Sequence, residues 1–83
     1  MKYMVILFDV ELSMIMSART VSSMNQVEKE FSKYATEYID TWKDMDVLDQ
    51  NCYFDCKGYQ ECGYMVQWFK LDSNGSFENN VKL

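Results

Sequence analysis

Met4, Ile6, Phe8, Val10, Leu12, Met14 and Met16 occupy consecutive even positions near the start of the chain. Side chains of an extended backbone point alternately to opposite sides, so a period of two over this span predicts a strand with one buried face. The expected strand runs from residue 2 to about 18 and is bent or bulged between Asp9 and Ser13, where the odd positions become polar. A hairpin folding at that point is the alternative. The continuous strand is preferred because no Gly, Asn or Pro supplies a tight turn.

The period then changes. Ser23 is a good N-cap, with Gln26 three residues later to complete a capping box. From there Met24, Val27, Phe31, Tyr34, Ala35, Tyr38, Ile39 and Trp42 gather into one stripe at about 100° per residue, which predicts an amphipathic helix lying across the sheet. Lys29, Lys33, Thr36, Asp40 and Lys43 fall on the opposite, wet face, and Glu28 and Glu30 suit the positive end of the helix dipole. Residues 44–51 read as a polar connection pinned to the core by Val47 and Leu48. Two further strands are expected at about 51–56 and 62–71, joined by a Gly-containing loop over 57–61. Asn74-Gly75 marks a turn within 72–76, and a short edge strand is expected at 77–82. The fold class implied is α+β: a mostly antiparallel sheet with one helix packed on one face.

At 83 residues, the chain is expected to form one domain that buries roughly 60–65% of its extended surface, leaving few side chains to line a deep pocket. Hydrophobic residues make up 48% and charged residues 25%, which is typical of a globular chain and unlike a disordered one. Thirteen acidic against eight basic residues give a net charge of −5. That balance argues against direct nucleic-acid binding, which draws its affinity from Lys and Arg neutralising phosphates. It suits docking on a basic protein surface. Asp9 and Glu11 interrupt the first apolar run, no basic leader or cleavage pattern is evident, and a cytoplasmic protein with no membrane span is expected.

Catalysis by histidine is excluded because the chain contains none, so the usual nucleophile–base relay cannot be assembled. No pair of carboxylates sits in an evident apolar pocket that would separate their pKa values. The chain is therefore read as a non-enzyme with no cofactor. Cys52, Cys56 and Cys62 lack the fourth ligand and the paired spacing of a closed zinc site. In an extended strand Cys52, Phe54 and Cys56 share a face, so Cys52 and Cys56 are expected to be small core hydrophobes. Asp44-x-Asp46 opens like a calcium loop, but Leu48 and Asp49 stand where a ligand and a Gly are needed. No metal site is expected.

Two features point to a partner. Asp40, Asp44, Asp46, Asp49 and Asp55 are offset only by Lys43 within the same stretch, and acids at the end of a helix oppose its dipole, so a role other than helix stability is indicated. In the last predicted strand Cys62, Tyr64, Val66 and Trp68 alternate with Met65, Gln67, Phe69 and Leu71, so both sides of the sheet are apolar. One side is expected to be an interaction surface, with Tyr64, Trp68 or Phe69 as anchor, or a self-association face.

A chain opening Met1-Lys2-Tyr3-Met4-Val5-Ile6-Leu7-Phe8, rich in Met and lacking Pro and His, resembles the small early proteins of T-even-like phages. Over about the first 58 residues the path from strand through amphipathic helix to Asp55-Cys56-Lys57-Gly58 resembles the Dmd family of phage antitoxins, with that tetrapeptide as the detailed match. Anti-CRISPR proteins share the short, acidic, motif-free profile. The resemblance implies an inhibitor that binds a host defence protein with a basic surface, a toxin RNase or CRISPR effector, and occupies its active or nucleic-acid-binding groove in the bacterial cytoplasm. The alternative is a structural or assembly protein, monomer or homodimer, that self-associates through an open sheet face.

Overall fold

The first apolar run does not stay in one piece. In the computed structural model, which describes residues 2–72, it forms a hairpin of β1 (Lys2–Asp9) and β2 (Met14–Val21). The expectation of one long strand is thus corrected, and the turn chemistry gives the reason. Asp9 Oδ1 accepts the backbone N–H of Leu12 at 3.0 Å, and Ser13 takes a left-handed conformation at φ 53°. An aspartate side chain folding back on its own turn and one left-handed polar residue do the work usually signalled by Asn-Gly. A register shift between Leu7 and Phe8 places a bulge in the ladder beside this turn.

The remaining elements are α1 (Met24–Tyr38), α2 (Asp40–Lys43), α3 (Val47–Asp55), β3 (Gly58–Glu61) and β4 (Tyr64–Leu71). The fold is α+β, with all pairings antiparallel and the strands in the order β2-β1-β4-β3. β1 and β4 are central, and the three helices connect the β2 margin to the β3 margin. Ser23 Oγ accepts from Gln26 N at 3.3 Å, while Gln26 Oε1 accepts from the backbone N–H of Ser22 at 2.9 Å, one residue before the cap. The reciprocal capping expected at this terminus is therefore present in slightly shifted form. Glu28 and Glu30 lie past the first turn of α1, which carries no acidic residue.

The stripe on α1 is buried as the periodicity predicts, through Val27, Phe31, Tyr34 and Ala35. The helix ends earlier than expected, because Ile39 adopts an extended conformation and separates Trp42 onto α2. Trp42 still reaches the core, with its ring 5.5 Å from that of Phe31.

The covered side of the sheet is the odd side of β1. Val5 and Leu7 join Val66 and Trp68 of β4 beneath Val27, Phe31, Ala35 and Ile39. The even side carries a separate, smaller cluster of Ile6, Phe69 and Leu71 with Met4 packed against it. Both faces of the two central strands are thus apolar, which the β4 alternation predicts and a single buried face on β1 does not.

Two further expectations are corrected. Residues 51–55 belong to α3 and Cys56 caps it, in place of the expected strand, and residues 58–61 are strand rather than loop. The β3–β4 turn is Cys62-Gly63 with φ of 57° and 83°, the paired positive angles of a two-residue hairpin turn. A Cβ at Gly63 would also come within 3.2 Å of Glu11 Oε1. The turn expected over 72–76 reaches the described residues only at Asp72, and the strand expected at 77–82 lies outside them.

Candidate protein-binding surface

Helix α3 is built differently from α1. Asp46 caps it, with Oδ1 accepting from Asp49 N at 2.9 Å, and Asp49 in the first turn complements the helix dipole, as Asp40 does on α2. The expectation that these acids oppose a helix dipole is thus corrected for Asp40, Asp46 and Asp49. None of its residues is fully buried. Ring contacts and hydrogen bonds hold its inner side. Phe54 packs against Phe31 at 5.3 Å and stacks on Trp68 at 5.2 Å. The indole N–H of Trp68 donates to the Phe54 carbonyl at 2.8 Å. Gln50 Nε2 donates to the Trp42 carbonyl at 2.7 Å. Tyr53 leans on Tyr59 of β3, with ring centroids 4.6 Å apart.

Val47 and Leu48, expected to pin this segment to the core, are instead 68% and 77% exposed. They open α3 on its outer side, between Asp46 and Asp49 in sequence. Asp40 begins α2, Asp44 caps its C-terminus and Asp55 ends α3. All five aspartates are exposed. The structure therefore places the acidic residues on two consecutive short helices, with two solvent-facing aliphatic side chains among them. The Asp46-to-Asp49 spacing could have marked the start of a helix here, but it carries no signal for the exposure of Val47 and Leu48.

The aromatic candidates do not form one surface. Tyr64 and Trp68 lie on the α1 side of the sheet, and Phe69 lies on the other. Trp68 is buried, edge-on to Tyr3 at 6.2 Å and capped by Lys57 Nζ at 5.4 Å from its ring. Tyr64 is half-buried against Tyr38 at 5.3 Å, and Phe69 is buried. Trp68 and Phe69 are buried and lie on opposite sides of the sheet, so the expected open aromatic face is not formed, and Tyr64 stays half-buried on the α1 side.

The expectation for Cys52 and Cys56 is also corrected. Both are free and exposed, because the helical turn of α3 replaces the strand alternation that would have put them inside, and Cys62 is free and exposed as well. Among the described residues, no three His, Cys, Asp or Glu side chains come together in a group that could hold a metal ion. No helix among them is long and apolar enough to cross a membrane. None of the protein-family models, curated proteins and solved structures compared with this chain matches it.

Proposed function

We propose that this chain is a non-enzymatic inhibitor of the phage anti-defence kind, which docks α2 and α3 on the basic groove of a bacterial defence protein, a toxin RNase or a CRISPR effector. The observation that carries this reading is the placement of exposed Val47 and Leu48 among Asp44, Asp46, Asp49 and Asp55 on a helix that buries none of its own residues. Apolar side chains on an exposed helix offer the anchor contacts that dominate binding energy, and the surrounding acids steer approach to a positive surface. A groove that holds nucleic acid has the matching chemistry: basic walls over a floor that accepts flat, apolar groups. Self-association through the sheet face opposite α1 is less well supported, since Ile6, Phe69 and Leu71 are already buried on it.

The test is affinity capture from bacterial lysate with the wild-type chain and with an Asp44→Lys/Leu48→Ser/Asp49→Lys variant, with retained proteins identified by mass spectrometry. Asp46 is left in place to keep its cap. The expected result is a basic nuclease or nucleic-acid-binding effector that the wild type retains, that the variant releases, and whose activity falls to zero at one equivalent of wild-type chain. Equal retention by both chains would overturn the assignment of α2 and α3 as the docking surface.

A further inference from the structure

β2 forms one margin of the sheet: one side of its backbone pairs with β1, and the other has no strand neighbour among the described residues. A bare strand edge is a template for further pairing, and proteins commonly guard such edges with Lys, Pro, β-bulges or inward-pointing charges. β2 contains neither Pro nor Lys, and its bulge, at Met16 opposite the Leu7–Phe8 step, lies toward the turn end and leaves the Ser17–Val21 stretch in regular register. Its one ionisable side chain, Arg19, is engaged by Glu30 of α1 at 3.2 Å. At the turn end, Leu12, Met14 and Ile15 are 68%, 50% and 58% exposed. No acidic residue occurs between Glu11 and Glu28, although the chain as a whole is strongly acidic. A second copy of the chain carries the same net charge of −5, and β2 sets no acidic side chain of its own against it.

We propose that β2 pairs antiparallel with β2 of a second copy, so that two four-stranded sheets become one continuous sheet in the order β3-β4-β1-β2-β2-β1-β4-β3. A closed two-fold pairing satisfies both bare edges at once. The only two-fold that joins two edges antiparallel runs perpendicular to the sheet, which leaves both copies of α1 on the same face. It also sends the α3 helices, which pack beside β3, to the two far margins, so the pairing does not depend on α3 being a docking surface. Arg19 on the axis would set two guanidinium groups opposite each other. The pairing therefore centres on Ala18, an exposed small residue whose β1 neighbour is Ile6, and it brings the Met14–Met16 end of each strand alongside the Thr20–Val21 end of the other.

The experiment combines light scattering with backbone amide exchange across the micromolar to millimolar range. The expected wild-type particle is about 20 kDa, twice the 9.9 kDa chain. As it forms, the β2 amides that point away from β1 should slow by about tenfold or more. Ala18→Lys and Ala18→Glu set like charges across the axis and should each give monomers, and mixing the two should restore the dimer by setting opposite charges there. A monomer at every concentration would overturn the proposal. So would a dimer whose outward β2 amides still exchange fast, which would mean association through a sheet face, or assemblies that grow beyond two copies. Failure of the mixed variants to reassociate also counts against it, and the exchange measurement on the wild type decides the matter without any variant.

Discussion

Helices α1 and α3 lie on the same small protein and differ in almost every respect that burial can measure. α1 places Val27, Phe31, Tyr34 and Ala35 against the sheet and turns Lys29, Lys33 and Thr36 to solvent. α3 buries nothing completely, holds the fold through half-buried Phe54 and Gln50, and points Val47 and Leu48 outward. The first arrangement is what the hydrophobic effect selects when a helix exists to make a core. The second leaves the apolar area of Val47 and Leu48 in water, where it adds nothing to the core. The contrast separates a helix that is buried along one stripe from a helix held only at its inner side, and the proposed docking role of α3 rests on that difference.

The sharpest way to break this comparison is at Phe31. Its ring is fully buried and touches both Trp42 of α2 and Phe54 of α3. Phe31→Ala should cost about 3–5 kcal/mol, a large share of the stability of a domain this size. Urea or thermal unfolding followed by circular dichroism should show the cooperative transition lost or moved to much milder conditions. A transition left near its wild-type midpoint would mean that α1 is not the centre of the core.

Trp68 tests the seam between the two regions. Its ring stacks on Phe54 and its indole N–H donates to the Phe54 carbonyl at the end of α3. Trp68→Phe retains an aromatic ring of smaller area and leaves that carbonyl without its donor, so a loss of about 1–3 kcal/mol is expected from unfolding curves. Amide exchange should localise the effect, with the last turn of α3 losing more protection than α1. Uniform loss across both helices would show that α3 is integral to the core rather than attached to it.

What the sequence shows follows the same division. α1 is legible because cap, stripe and wet face all agree on one helix, from Ser23 through Val27 and Phe31 to the exposed lysines. The β1–β2 turn is not, since its work is done by the Asp9 side chain and a left-handed Ser13 rather than by Gly or Asn-Gly. α3 is obscured for another reason. Cys52, Phe54 and Cys56 alternate as strand residues do, and a helix with no continuous buried stripe offers no competing period of 3.6. Of the candidate surface, the aspartates are legible as a cluster along the chain. Exposure of Val47 and Leu48 is not, because an apolar residue in a sequence reads as core until its surroundings are known.

A smaller effect is expected at Asp46, which serves fold and surface together. Asp46→Ala removes the cap on Asp49 N and should cost about 1 kcal/mol, while Asp46→Ser keeps an acceptor there and should cost only a fraction of that. Measured by denaturant midpoint, equal losses for the two substitutions would mean that the charge, not the cap, supports α3. If Asp46→Ser retains stability yet slows association with a basic partner, the same carboxylate both begins the helix and steers the encounter. Such steering weakens with salt, since exposed charges are screened over about 8 Å at physiological ionic strength.

The smallest effect on stability should come from Leu48, and the comparison depends on it most. With 77% of its surface in water, Leu48→Ser removes almost no buried area, and the unfolding midpoint should correspond to a change within about 0.5 kcal/mol. If Leu48 is an anchor, the same substitution should weaken partner binding by about 2 kcal/mol or more, mostly through faster dissociation, because that energy comes from contacts made only in the complex. Binding kinetics at two salt concentrations distinguish this from steering: the Leu48→Ser loss should be independent of salt, whereas charge reversal at Asp44 and Asp49 should act on the association rate and fade as salt rises. A clear drop in the stability of the isolated Leu48→Ser chain would place Leu48 within the fold, and α3 would then differ from α1 in degree of burial rather than in purpose.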